Sequence, residues 1–272
     1  MSPPGRRIHA SEGESLSAER EGSPVINTGQ VTASVVSHRQ GALLAGLLED
    51  LARVAPPQLA HLVITLNLPE DEPRLPALPF RVTVLRNAVP LGFGANHNAA
   101  FAHGASEWFW ILNPDLRLPV DPLPALLTAA RPTDAILAPQ VIEAGRVADA
   151  ARLLPTPARL VRRRLLGQRQ LAEEQGGRYD WLAGMCVLVR SAAFRSLGGF
   201  DERYRMYCED VDLSLRAQLA GGTLQQVAGA RVQHESQRAS RRSLRYLAWH
   251  VRSLLRLWGS AAYRQYRRRE RA

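Results

Sequence analysis

Two rhythms of hydrophobic and polar positions run through this chain. Val31–Ser37 (VTASVVS), His61–Leu66 (HLVITL), Arg81–Leu85 (RVTVL), Glu107–Leu112 (EWFWIL) and Ala135–Ile142 (AILAPQVI) are short runs of aliphatic, β-branched and aromatic residues. That composition predicts buried strands. Between the first two, Leu43, Leu44, Leu47, Leu48 and Leu51 recur at helical spacing and predict a helix over Gly41–Val54. Leu91–Asn98 (LGFGANHN) reads as a glycine turn leading into a helix at Ala99–Gly104, and Leu123–Ala130 as a short helix. Tyr179–Arg190 (YDWLAGMCVLVR) reads as a strand pair or a strand kinked at Gly184. A helix over Asp210–Ala220 is closed by Gly221-Gly222, and a strand over Thr223–Val232 delivers His234 at its end.

This order predicts an α/β domain with a mostly parallel sheet. In such sheets ligands sit at the carboxyl ends of the strands. Ser37, His38, Asn67, Arg86 and Asn87 fall at such ends. Residues 1–30, rich in Ser, Glu, Gly, Pro and Arg without periodicity, predict a disordered arm. Residues 150–178 predict an irregular basic insertion, either a flap over a site or a solvated charge run. From Ser240 to Gln265 a single helix is expected. Leu244, Leu247, Ala248, Val251, Leu254, Leu255 and Trp258 form its apolar stripe, and Arg241, Arg245, Arg252 and Arg256 lie largely opposite. Such a helix either lies on an anionic membrane surface or packs on the domain with an arginine-rich outer face. The expected division is an arm at 1–30, a domain at 31–240 and a basic helix and tail at 241–272.

Composition adds three constraints. The 272 residues are 46% hydrophobic, enough for one large globular domain with appendages. The formal net charge is +10, and every one of the 35 basic residues is arginine, which suggests an anionic partner. Nucleic acid is disfavoured, because no recognised nucleic-acid fold accompanies the charge. Cys186 and Cys208 have no zinc-type spacing and predict two buried thiols in a reducing compartment. No apolar run reaches the ~18 residues of a membrane span. The expected location is the cytoplasm, with the inner face of the plasma membrane as the surface where the C-terminal helix would dock.

The candidate chemistry centres on Gly198–Arg216 (GGFDERYRMYCEDVDLSLR), where Glu209, Asp210 and Asp212 fall within four positions among aromatic and aliphatic neighbours. Crowded, partly buried carboxylates acquire raised pKa values, as a general base working near neutrality requires. An acidic first turn favoured by the helix dipole is the plainer reading. Asn113-Pro114-Asp115 ends the strongest strand, where an Asp could hold a divalent cation together with phosphate oxygens; alone the motif is a turn.

LGFGANHN, ILNPD, WLAGMCVLVR, GGFDERYRMYCEDVDLSLR and His234, in that order, resemble the family-2 glycosyltransferases of the GT-A fold, and most of all their bacterial rhamnosyltransferase-like branch. The resemblance covers roughly Val31 to Ser240. It implies an inverting transfer of a sugar from a nucleoside-diphosphate donor, by default dTDP- or UDP-linked and rhamnose by the branch. The acceptor would be a hydroxyl of a cell-surface glycan or a lipid-linked precursor. It implies Mg²⁺ or Mn²⁺ on Asp115 and His234, with Asn113 at the first position of the metal motif. Asp210 would be the base of an acidic pair with Glu209. Ser37, His38, Asn67, Asn87, Gly94, Asn98 and Asn113 would lie on the donor side, and Trp181, Gly184 and Asp201 on the acceptor side. Ser37-His38-Arg39 and Leu66-Asn67 depart from the family's usual Tyr-Asn and Asp-Asn strand ends. A non-catalytic nucleotide-sugar-binding or membrane-surface scaffold with a degenerate domain is therefore the alternative expectation.

Overall fold

A computed structural model describes residues 30–104, 106–148, 150–166, 179–235 and 244–270. The expected arm, part of the expected insertion (167–178) and the junction at 236–243 lie outside the described residues. The strands are β1 (Val31–Ser37), β2 (Leu59–Leu66), β3 (Arg81–Arg86), β4 (Trp108–Leu112), β5 (Leu116–Arg117), β6 (Asp134–Glu143), β7 (Arg146–Val147), β8 (Ala151–Arg152), β9 (Trp181–Leu182), β10 (Cys186–Arg190) and β11 (Thr223–His234). The helices are α1 (Gly41–Val54), α2 (Phe93–Phe101), α3 (Leu123–Ala129), α4 (Pro157–Leu166), α5 (Ser191–Ser196), α6 (Glu209–Leu219), α7 (Leu244–Gly259) and α8 (Ala261–Arg269).

Among the described residues, nine strands form one sheet in the order β3-β2-β1-β4-β10-β6-β11-β5, with β7 on β6. The β3-β2-β1-β4 half is parallel. β10 enters antiparallel between β4 and β6, and β11 runs parallel to β6. The central strands are buried on both faces, which explains their unbroken apolar runs. Alternate residues serve opposite faces. Trp108, Trp110 and Leu112 pack with the α1 leucines, while Phe109 and Ile111 pack with Phe194, Phe200 and Leu213.

Asp50 fastens α1 to the far end of the sheet. Its carboxylate accepts from Arg117 Nε at 2.7 Å, Arg117 Nη2 at 3.1 Å, the Leu118 amide at 3.0 Å and Arg53 Nη2 at 3.0 Å. His97, on α2, is fully buried; its Nδ1 lies 2.8 Å from Ser34 Oγ and its ring packs edge-on against Phe93.

Two expectations change. The segment read as a glycine turn is already helix from Phe93, because Gly94 lets α2 approach the 198–203 turn: a Cβ at Gly94 would meet Phe200 Cβ at 2.6 Å. The single C-terminal helix is two. It breaks at Gly259-Ser260, where Ser260 Oγ caps α8 by accepting from the Tyr263 amide at 3.1 Å. Both helices pack on the domain. Trp258 Nε1 donates to Pro155 O at 2.8 Å, and Tyr266 Oη donates to Asp180 Oδ1 at 2.9 Å. Within the expected insertion, β8 pairs with β9 and α4 follows.

Candidate active site

A cleft of about 360 Å³ opens at the carboxyl ends of the parallel strands. Its floor holds Asn113, Pro114 and Asp115 after β4, and Gly184 and Met185 from the turn between β9 and β10. Glu209 and Asp210, the first two residues of α6, face into it, with His38 and Asn67 on the β1–β2 side. The cleft thus unites the acidic pair, the Asn-Pro-Asp turn and two of the expected strand-end residues.

The acidic pair is held by unusual backbone. Tyr207 and Cys208 both adopt left-handed conformations, at φ 72° and 66°. For residues with side chains this costs about 1–3 kcal/mol each and gathers at functional sites. The turn starts α6 abruptly, leaving two carboxylates at its N-terminal end. Asp210 Oδ2 accepts from the Gly184 amide at 3.0 Å and Oδ1 from the Val211 amide at 2.9 Å. Burial pushes the Asp210 carboxyl up, and these amides only partly offset it. Glu209 is buried, and its Oε2 has no hydrogen-bond partner among the described residues. Burial first, and the neighbouring Asp210 charge second, raise its carboxyl strongly. Asp212, the third acid of the cluster, belongs elsewhere: it is buried and pairs with Arg216 at 2.6 Å.

His234 arrives at the end of β11, as expected, and lies between two carboxylates. Its Nδ1 is 2.6 Å from Glu143 Oε1, and its Nε2 is 3.2 Å from Asp115 Oδ2. Burial alone would lower the imidazole pKa, but the hydrogen bonds and charges of Asp115 and Glu143 outweigh it, and the net shift is upward. Asp115 Oδ1 is buried with no hydrogen-bond partner among the described residues, and His234 Nε2 is buried facing the other oxygen of the same carboxylate. A carboxylate with one orphaned oxygen beside an imidazole backed by a second carboxylate fits a divalent cation. Among the described residues no group of three or more His, Cys, Asp or Glu side chains converges on a metal position. Phosphate oxygens and water would therefore fill the rest of the shell.

The other expected residues divide. Asn67 is buried; its Nδ2 lies 3.0 Å from His38 Nδ1, and its Oδ1 accepts from the Leu91 amide and from Asn87 Nδ2. Asn87 therefore stands one layer behind the cleft. Ser37 turns away and donates to Glu70 Oε2 at 2.8 Å. Gly94 packs on Phe200, and Asn98 clamps the Phe200 backbone through both its donor and its acceptor. Asp201 pairs with Arg203 at 2.6 Å. Trp181 is buried, with Nε1 donating to Leu153 O at 3.0 Å. None of Ser37, Asn87, Gly94, Asn98, Trp181 and Asp201 lines the cleft.

Several lining residues escaped the sequence reading: Asn96, Arg152, Arg205, Tyr246 and Trp249. Arg205 lies over the Trp249 ring at 5.2 Å, and Arg245 covers the same ring at 5.1 Å. Burial lowers the His38 pKa, and these two arginines lower it further. Of the strand-end arginines, Arg86 pairs with Glu72, and Arg39 donates to Pro69 O at 3.3 Å. Arg152 on β8 and Arg205 on the approach to α6 line the cleft. No motif signals them, because they meet only through folding.

Comparison with known proteins places this geometry. The N-acetylglucosaminyl-diphospho-decaprenol L-rhamnosyltransferase of Mycobacterium tuberculosis (strain ATCC 25618 / H37Rv) is 32% identical over 199 aligned positions, covering 63% of this chain and 65% of that protein. The chain thus spans just under two thirds of that relative's length. Rhamnosyltransferase WbbL of Escherichia coli (strain K12) is 41% identical over 78 residues, 28% of this chain and 30% of WbbL. A mannosyltransferase from Pyrobaculum calidifontis, solved in complex with GDP-Man and Mn²⁺, superimposes with a TM-score of 0.55 at 17% identity, over 82% of this chain and 60% of its own. That likeness shows the fold, which is GT-A. The family model for "Glycosyltransferase like family 2" matches residues 29–256, and the chain belongs to that family.

Proposed function

We propose that this protein is a metal-dependent inverting glycosyltransferase. It would move a sugar, rhamnose as the names of its relatives suggest, from a dTDP- or UDP-sugar to a hydroxyl of a lipid-linked or polysaccharide acceptor. One observation carries the reading: Asp210, with its raised pKa, shares a cleft with Asp115, whose Oδ1 is buried with no hydrogen-bond partner among the described residues.

The acceptor hydroxyl attacks the anomeric carbon as Asp210 takes its proton, and the bond from that carbon to the diphosphate oxygen breaks. The nucleoside diphosphate leaves with the bonding pair. The Gly184 and Val211 amides fix the carboxylate's orientation, so the base needs little reorganisation. Glu209, buried beside it, resists ionisation, and Asp210 then carries the negative charge of the pair. Asp115 and His234 would hold Mg²⁺ or Mn²⁺, which as a Lewis acid would neutralise the charge on the departing diphosphate. Glu143 orients His234, and His38 and Asn67 line the donor side.

A thermal-shift panel of nucleotide sugars with and without Mn²⁺ identifies the donor, since a ligand of the folded state raises the melting temperature. With that donor and an acceptor, Asp210→Asn should lower turnover by about 10²–10⁴ while donor binding persists. Full turnover in this variant, or donor binding without turnover by the parent protein over a broad acceptor panel, would refute the proposal.

A further inference from the structure

Helix α7 presents three surfaces. One is buried on the domain: Leu257 is inaccessible, and Ser253 Oγ donates to Met206 O at 2.9 Å. A second gives Tyr246 and Trp249 to the cleft. The third faces outward, where Leu247, Val251 and Leu255 are 57%, 48% and 61% exposed. They stand four residues apart and so form one continuous ridge. Arg252 and Arg256 border it, lining one surface hollow together with Leu255. Helix α4 repeats the arrangement, with Val161 at 56% and Leu165 at 76% exposure and Arg162 exposed beside them. Trp258 Nε1, donating to Pro155 O at 2.8 Å, ties α7 to the start of α4. Arg264, Arg267 and Arg268 surround a cavity of about 400 Å³ with Trp258 and Pro157 at this junction.

Of the large hydrophobic side chains exposed among the described residues, five of nine lie on these two helices. Scattered exposed hydrophobics are ordinary, but aligned ones rimmed by cations mark a contact surface. Among the described residues no helix is long and apolar enough to cross a membrane, so a lipid contact of α7 and α4 is interfacial. We infer that α7 and α4 form a platform that lies on an anionic lipid bilayer, with the aliphatic ridge in the acyl boundary and the arginines among headgroup phosphates. Phosphate-bearing lipid satisfies both the apolar ridge and its basic flanks, which a purely apolar partner would leave unpaired. Through Tyr246 and Trp249 the cleft then opens beside the bilayer surface.

Flotation of the full chain with vesicles tests this without turnover, and so independently of the enzymatic reading. The protein should bind phosphatidylcholine vesicles containing phosphatidylglycerol and bind pure phosphatidylcholine weakly. The triple variant Leu247→Gln/Val251→Gln/Leu255→Gln should lose about tenfold or more in partitioning at an unchanged melting temperature. If the triple variant melts early, Arg252→Gln/Arg256→Gln decides, with a loss of about fivefold per arginine. Binding that ignores anionic lipid, or variants that partition like the parent protein, would overturn the inference. So would light scattering that finds a dimer which the triple variant converts to monomer, because the ridge would then be covered by a second copy of the chain.

Discussion

Gly184 and Asp210 are fitted to each other. The Gly184 amide donates to Asp210 Oδ2 at 3.0 Å, and a Cβ on Gly184 would stand 3.2 Å from Asp210 Cβ. That is tighter than ordinary contact, so a methyl group there displaces the carboxylate by a few tenths of an ångström. Gly184→Ala should therefore fold normally yet lose about tenfold in turnover, because reacting groups tolerate little misplacement. Steady-state kinetics beside a thermal melt checks this; a variant that keeps full turnover would show that the carboxylate's position is not critical.

Glu143 touches His234 Nδ1 at 2.6 Å and leaves Nε2 facing Asp115. A carboxylate behind a ligating imidazole fixes its tautomer and raises its basicity. Glu143→Gln should weaken Mn²⁺ binding by about 10–100-fold, as read by titration calorimetry or by the paramagnetic signal of free Mn²⁺. Unchanged affinity would remove His234 from the ligand set.

Asp50 supports acid-sensitive stability. Burial pushes its carboxyl upward, but the bonds from Arg117, the Leu118 amide and Arg53 outweigh this and hold its pKa below the usual carboxylate value. A folded-state pKa below the unfolded one contributes stability that is present above the unfolded value and lost as pH falls through the folded value. Asp50→Asn should cost about 1–2 kcal/mol at pH 7, since it weakens the bonds from two partly exposed arginines and from the Leu118 amide. The gap to the parent protein should close below about pH 4, as urea titrations at several pH values would record.

His97 predicts a second acid slope, at higher pH. Its burial lowers the imidazole pKa to about 3, so the folded protein keeps it neutral. Between about pH 6.5 and pH 3 the unfolded chain holds a proton that the folded chain lacks. Stability should then fall by about 1.4 kcal/mol for each unit that pH drops through this window. His97→Gln should remove one proton's worth of that slope in denaturant titrations at pH 7 and pH 5, and an unchanged slope would contradict the assignment.

The strands buried on both faces are legible because they carry unbroken apolar runs, and VTASVVS and the leucine spacing mark β1 and α1 to the residue, whereas the two-residue strands β5, β7 and β8 are too short to show a pattern. The acidic pair, Asn113–Asp115 and His234 were legible because each follows a strand or starts a helix at one edge of the sheet. The start of α2 was misread because glycine usually marks a turn, whereas Gly94 serves a close helix approach to Phe200. The break after Gly259 was hidden because apolar spacing continues across it, although the Gly-Ser pair signals a stop and a cap. Arg152, Arg205, Tyr246 and Trp249 come from three distant segments, and no local pattern reports that they meet.

Helix α8 folds back onto α6. Tyr266 Oη bonds Asp180 and Gln218, and Arg269 Nη1 bonds Gln218 O at 3.2 Å. Gln218 lies near the far end of the rod whose opposite tip bears Asp210. Trimming the chain beyond Ser260 would therefore strip these contacts from the helix that presents Asp210, at a distance from the cleft. An affinity handle at the opposite terminus would leave this α8–α6 seam intact.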